Sequence, residues 1–175
     1  MQIERITEGA AKNAFFHKIA DIPGGVTVKT SGLTATELPE GTPIAKGANG
    51  LYLPIATGKV VEAAGAAAVT YAVAKGNVFI VGDKIAKSTS VNVNITAIDR
   101  TDANKDVITV DATLGAKAVD SVVTAGAVGV AVAVTGSTEK IRKNNDLYVS
   151  AWVIAVLNKN IVGEPDSKPA GVLYI

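Results

Sequence analysis

The densest group of side chains that could bind an ion lies between residues 99 and 106. Asp99, Asp102, Asn104 and Asp106 offer the carboxylate and amide oxygens that Ca²⁺ prefers. The spacing of Asp102, Asn104 and Asp106 matches the first three ligand positions of an EF-hand loop, but Val107 stands where the loop needs glycine, and a threonine stands where it needs a bidentate glutamate. Asp and Asn also favour turns. The sequence therefore predicts a turn without a required metal, and a looser cation site is the alternative.

Other catalytic signatures are missing from the sequence. The single histidine, His17, lies in the N-terminal leader, which argues against a Ser-His-Asp triad or an imidazole metal site. The absence of cysteine excludes disulfides, thiolate zinc sites and cysteine nucleophiles. Neither a phosphate-binding loop nor a dinucleotide-binding glycine motif occurs. We therefore expect a protein that is not an enzyme and needs no cofactor.

The charge balance argues against nucleic acid and membrane as partners. Seventeen basic and 16 acidic residues give a net charge of +1, without a basic cluster. Charges at residues 4, 5 and 8 interrupt the apolar core that a signal peptide needs. The longest apolar run, residues 122–134, is shorter than the roughly 20 residues of a membrane-spanning helix.

The elements that hold the acidic loop show the clearest β pattern of the chain, over residues 68–114. Val91, Val93, Ile95 and Ala97 fall on one face of a strand and polar residues fall on the other. The β-branched run at 107–110 resumes after the loop, which indicates a hairpin. Two shorter runs upstream, 69–74 and 78–81, are bounded by Gly-Asn and Gly-Asp turns and complete a predicted β-meander.

Composition extends this prediction to the whole chain. Hydrophobic residues make up 48% and aromatic residues 5%, so the core must consist of Val, Ile, Ala and Leu, as suits packed sheets. We predict an all-β fold, with a small β-sandwich or β-barrel-like body over residues 24–175. An N-terminal arm over residues 1–23 is expected to be extended or partly helical. The body could also divide into two small β-subdomains, at about 24–118 and 119–175. Helix is expected only in the arm and in the Ala-rich residues 60–68, which form either a loop or one helical turn.

Two predicted strands, residues 122–134 and 147–156, are apolar on both faces. One 175-residue body has limited room to cover both, so we predict a homo-oligomer, a trimer in the first place and a dimer in the second. The aromatic pair of the arm is expected to dock onto another subunit or to fold back onto its own body. The interface candidates are Phe15, Phe16, Val130, Val132, Trp152 and Val153.

Three segments in order resemble the head decoration and head-fibre proteins of tailed bacteriophages. They are LPEGTPIAKGANGLYLPI (38–55), TYAVAKGNVFIVGDKI (70–85) and NITAIDRTDANKDVITVDATLGAKA (94–118). In that family a Leu-Pro-x-Gly-Thr-Pro stretch precedes small strands. A Val-Gly-Asp-x-Ile turn then leads to a strand, an Asp-rich loop and an Ile-Thr-Val strand. The resemblance covers residues 24–157.

The resemblance implies a structural virion protein on the exterior of the capsid. Such a protein binds the major capsid protein as a homo-oligomer and has no enzymatic activity. The alternative is a carbohydrate-binding or receptor-binding β-module of a phage tail or a cell-surface appendage. In that case Tyr148 or Trp152 would stack on a sugar, although both lie in apolar strands where packing is the commoner role.

Overall fold

The regular secondary structure of the chain consists almost entirely of short β-strands, and its curled sheets form half-barrels, so the predicted all-β fold is confirmed. The computed structural model describes residues 13–87, 91–126, 128–142 and 144–175. The strands are β1 (Phe15–Asp21), β2 (Val26–Val28), β3 (Glu37–Leu38), β4 (Pro43–Lys46), β5 (Tyr52–Pro54), β6 (Thr57–Lys59), β7 (Thr70–Ala74), β8 (Lys84–Ala86), β9 (Asn92–Asp99), β10 (Lys105–Val110), β11 (Val122–Thr124), β12 (Ala131–Thr135), β13 (Glu139–Lys140), β14 (Leu147–Val149), β15 (Ala151–Leu157) and β16 (Val172–Tyr174). Helix in the described residues comprises α1 (Lys159–Val162) and one 3₁₀ turn (Ala48–Gly50).

The larger sheet has eight strands, which come from the first and last thirds of the chain. Its order is β1-β15-β12-β4-β5-β2-β14, and β16 also pairs with β15, in parallel. The remaining pairs are antiparallel except β2 with β5. Strands β1 and β14 therefore lie at the two ends of this strand order. Strand β1 joins the sheet by pairing with β15, which lies near the other end of the chain.

The smaller sheet, of order β7-β10-β9-β8, is an insertion between β5 and β12 of the larger sheet. Its chain leaves and returns through a two-stranded neck made by β6 and β11. The neck extends beyond the strands, because Val60 N–H donates to the Ser121 carbonyl (2.7 Å) and Asp120 N–H donates to the Val60 carbonyl (2.9 Å). A further two-stranded ladder joins β3 and β13.

One apolar cluster packs between the larger sheet and the insertion. It includes Ile44 and Ala133 from the larger sheet and Tyr71 and Ile108 from the smaller one, all fully buried. Phe79, from the loop between β7 and β8, is fully buried in the same cluster. The cluster therefore draws residues from both sides of position 118, where the sequence suggested dividing the body; the two subdomains stay a prediction. A second, smaller cluster lies beneath β15 and β16.

Glycine conformation corrects the strand predicted at residues 122–134. The segment forms two strands, β11 and β12, which lie in different sheets. Between them Gly129 adopts a φ of 121°, which a continuous strand cannot contain. Thr124, Gly126 and Gly129 interrupt the apolar run in the sequence, but the run was still predicted as one buried strand.

Of the two alternatives for the Ala-rich residues 60–68, a loop or one helical turn, the structure shows the loop, with turns and two isolated bridges, Val60 to Val73 and Ala64 to Lys117. The α-helix α1 lies outside the residues where helix was expected; the Asn158 side chain caps it by accepting from Asn160 N–H (3.0 Å), and Gly163 ends it at a φ of 71°.

The described part of the predicted arm contains an extended strand, β1, which is the extended one of the two predicted alternatives, and residues 1–12 lie outside the described residues. One smaller strand prediction needs revision. Residues 78–81, predicted as a strand, form a loop. Val78 and Phe79 are apolar there because they are buried in the core, not because they pair.

Candidate interaction surface

Strand β1 forms an irregular edge of the larger sheet. Its only strand partner among the described residues is β15. Three register shifts interrupt this ladder: one within residues 15–17, one within residues 18–20 and one between Ala20 and Asp21. The first two are bulges of β1, whose extra residues are Phe16 and Ile19, with side chains 51% and 64% exposed. The bulges thus present two large apolar side chains to solvent.

The lysine of this edge is held against the sheet. Lys18 Nζ donates to the Gly136 carbonyl (2.6 Å) and lies 4.4 Å from the centre of the Phe15 ring and 5.8 Å from that of Trp152. An outward-pointing lysine is a common means of protecting a sheet edge from other chains. Because Lys18 is engaged with the sheet, β1 lacks that protection.

A row of residues that are apolar except for His17 crosses the outer face of the sheet from β16 to β1. Leu173 on β16 lies beside Val156 on β15, which faces His17 on β1. Two residues earlier on β15, Ile154 faces Ala20. Paired residues on neighbouring strands share a face of the sheet, so these five residues form one surface, here called the outer row. Leu173 is 62% exposed and Ile154 is 43% exposed.

The six predicted interface residues differ in their surroundings. Val130, directly before β12, is 78% exposed, and Phe16 is about half exposed. Val132 is partly buried. Phe15 and Trp152 pack against the smaller apolar cluster, and Val153 packs against the main cluster. The structure therefore groups Phe15, Phe16 and Trp152 at the β1 edge, and it places Val153 in the body.

Sequence reasoning missed three exposed apolar residues of this region: Ile19, Ile154 and Leu173. The alternation of buried Ala155 and Leu157 with Ile154 and Val156 could have assigned the two faces of β15. The bulge that exposes Ile19 has no signal in the sequence, because it arises from the pairing of β1 with a distant strand.

Asp106 is bound by two cations of the protein itself. Its side chain is fully buried; one oxygen accepts from Lys75 Nζ (2.6 Å), and the other accepts from Arg100 Nη1 (2.6 Å) and from Asn77 Nδ2 (2.8 Å). Two positive charges at this carboxylate would repel a bound metal cation. The cluster therefore joins segments of the smaller sheet and does not offer an open metal site.

The other acidic residues of the loop serve local turns. Asp99 accepts hydrogen bonds from Thr101 N–H (2.9 Å) and hydroxyl (2.7 Å), which lower the pKa of Asp99. Asp102 accepts from Asn104 N–H (2.7 Å), as in an Asx turn. Within residues 13–87, 91–126, 128–142 and 144–175, no three His, Asp or Glu side chains are grouped to hold a metal.

A cleft of about 250 Å³ lies between the neck, the turn after β7 and α1. Lys59 and Lys75 line it, but Lys59 is paired with Asp120 (2.8 Å) and Lys75 is paired with Asp106. Its lining contains no aromatic side chain that could stack on a sugar or a base. The cleft thus gives little indication of a ligand.

Comparison of the chain with protein-family models, with curated proteins and with solved structures finds no match. Neither helix in the described part of the chain is long and apolar enough to cross a membrane.

Proposed function

We propose that this chain is a structural protein of a tailed-phage virion, which binds the outside of the capsid as a homo-oligomer. The observation that carries the proposal is the exposed apolar surface formed by the β1 bulges and the outer row. Soluble proteins rarely expose contiguous apolar patches unless the patch binds a partner. The resemblance of residues 24–157 to head decoration proteins suggests which partner, namely the major capsid protein.

The polar clusters of the described residues support a role without catalysis. The short ionic contacts of Asp106, Lys75 and Arg100 link strands of the smaller sheet. Those of Lys59 and Asp120 link the two sides of the neck. Each cluster is explained by the strands that it joins, so none requires a substrate.

Co-sedimentation with capsids tests the proposal. Purified protein is mixed with tailed-phage capsids assembled from the major capsid protein alone, and the capsids are pelleted. We expect the wild type to pellet with them and the outer-row variant Ile154→Ser/Leu173→Ser to remain largely in the supernatant, because it lacks the exposed apolar contacts. The matched control is Val81→Ser/Val91→Ser, since these valines are 60% and 49% exposed but lie on the insertion. A wild type that stays in solution would contradict capsid binding.

A carbohydrate-binding module is the second candidate, and Tyr148 is the observation that favours it. Its side chain is 67% exposed, and its ring lies close to Gly25, where an added Cβ would come within 2.9 Å of the phenol. An exposed ring of this kind can stack on a sugar. Trp152 is less suitable, because Lys18 lies over it. Glycan-array binding that is lost in Tyr148→Ala would favour this candidate over capsid decoration.

A further inference from the structure

We infer that His17 makes the outer row a pH-sensitive contact: the row binds its partner while the imidazole is neutral, and protonation of His17 releases the partner. The inference rests on the proposed function, because it takes the outer row as the surface that binds the capsid. It adds the condition under which that surface binds.

The first argument is the position of His17 within the row. Its side chain is exposed and faces Val156 on β15, and the Cβ atoms of such a cross-strand pair are about 5 Å apart. Leu173 lies on the other side of Val156, one strand further on. A partner that covers the exposed side chains of Leu173 and Ile154 would therefore cover the imidazole as well.

The second argument is that no nearby charge compensates an imidazolium. Strand β15 has no charged residue, and Tyr174 of β16 packs into the smaller cluster on the opposite face. Lys18 pairs with a residue of that opposite face. Glu40 lines a groove of about 320 Å³ beside His17, but its carboxylate accepts from Ala14 N–H (3.1 Å). Within the described residues, His17 forms no ion pair.

The third argument is the cost of burying an unpaired charge. A neutral imidazole can be covered by an apolar partner at much lower cost than an imidazolium. Histidine in water has an ordinary pKa of about 6.5. Below that pH the imidazole must release a proton before the contact forms, so binding weakens as the pH falls. If only the neutral form binds, this ordinary value makes binding about tenfold weaker at pH 5.5 than at pH 7.5.

Few other side chains compete for this role. His17 is the single histidine and the chain has no cysteine, and these are the side chains whose ordinary pKa values lie nearest to neutral pH. Burial raises the pKa of Asp83 above its ordinary value of 3.8, but Asp83 lies on the insertion and not in the outer row. Asp83→Asn is therefore the matched control.

Capsid co-sedimentation at pH 7.5 and pH 5.5 tests the inference. We expect the dissociation constant of the wild type to rise about tenfold at the lower pH. His17→Gln cannot be protonated, so it should bind equally at both values. His17→Lys carries a positive charge throughout and should bind weakly at both. Asp83→Asn should respond to pH as the wild type does.

Two results would overturn the inference: equal binding of the wild type at both pH values, or a wild-type response in His17→Gln. Groups that titrate on the capsid would alter the wild type and His17→Gln alike, so the difference between these two proteins isolates His17.

A second measurement needs no capsid. Chromatography on a phenyl matrix reports the exposed apolar surface directly, and we expect weaker retention of the wild type at pH 5.5 than at pH 7.5, with little change for His17→Gln. A wild type that pellets with capsids at neither pH would contradict the proposed function alone. The phenyl matrix would still decide the inference, because an equal change in retention for both proteins would overturn it.

Discussion

At the scale of single residues, Asp106 is the only fully buried charged residue in the part of the chain that the structure describes. It binds Lys75 from the turn after β7 and Arg100 from the end of β9, and Arg100 in turn donates to the Phe79 carbonyl (2.7 Å). One buried carboxylate thus fixes two strands and the loop that carries the buried Phe79.

We expect Asp106→Asn to lower the free energy of unfolding by about 2–4 kcal/mol, because Lys75 and Arg100 would lose their shared counter-ion. Urea denaturation at pH 7 measures this loss. Asp102→Asn is the control: its carboxylate is exposed and should change stability by less than about 0.5 kcal/mol. Equal stability of the two variants would mean that the ion pairs contribute little.

The residue types of this cluster were visible in the sequence, but their grouping was not. Asp102, Asn104 and Asp106 share a ligand-like spacing, which suggests a common site. The structure separates them, because alternation along β10 turns Asp106 inward while the tip of the hairpin stays in solvent. Lys75 lies 31 residues from Asp106, and nothing local to either residue indicates their contact.

At the scale of elements, a carboxylate joins the last strand of the larger sheet to its neighbour. Asp146, just before β14, accepts from Ser31 N–H (3.2 Å) and Thr30 N–H (3.1 Å), which follow β2. The Ser31 bond is the main cause that lowers the pKa of Asp146 below its ordinary value of 3.8.

A lowered pKa in the folded state means that this carboxylate stabilises the fold above pH 3.8 and that the contribution is lost as the pH falls toward the folded value. We therefore expect Asp146→Asn to reduce the loss of stability between pH 5 and pH 3. Melting temperatures across this range measure the effect. The control is Asp166→Asn, which changes an exposed residue elsewhere in the fold; its melting temperature should depend on pH as that of the wild type does. If the melting temperatures of wild type and Asp146→Asn fell in parallel between pH 5 and pH 3, the lowered pKa of Asp146 would not contribute to the pH dependence of stability.

Elements with local pairing could be predicted from the sequence, and those with distant pairing could not. Strands β9 and β10 are consecutive along the chain, and alternation alone indicates them. Strand β1 has no such pattern. It is a strand because β15, more than 130 residues later, supplies its hydrogen bonds, as the pairing of Phe15 with Leu157 shows. Both bulges of β1 arise from that pairing, so the sequence of β1 alone carries no signal for them.

At the scale of the whole molecule, the structure separates two valines that the sequence treated alike. Val130 is 78% exposed, whereas Val153 is partly buried and packs against the main cluster. We expect Val130→Asp to keep the wild-type stability within about 0.5 kcal/mol and to affect only assembly. Val153→Asp should lower the free energy of unfolding by more than 2 kcal/mol, because it places a charge beside the core.

Urea denaturation and sedimentation velocity together measure these two effects. Thr101→Asp, in the exposed hairpin tip, is the control for an added charge. A Val130→Asp variant that unfolds as easily as Val153→Asp would show that Val130 supports the fold itself. A monomer near 17.8 kDa for the wild type, unchanged on dilution, would contradict the homo-oligomer.

The ion pair between Arg100 and Asp106 also closes the base of the β9–β10 hairpin, since it joins the residues on either side of the exposed tip. A peptide inserted between Ala103 and Asn104 would be separated from the core by this ion pair. Doubling the length of a flexible loop costs only about 0.6 kcal/mol of closure entropy. The tip is therefore a natural grafting point for foreign peptides, where length is limited by solubility and not by the fold.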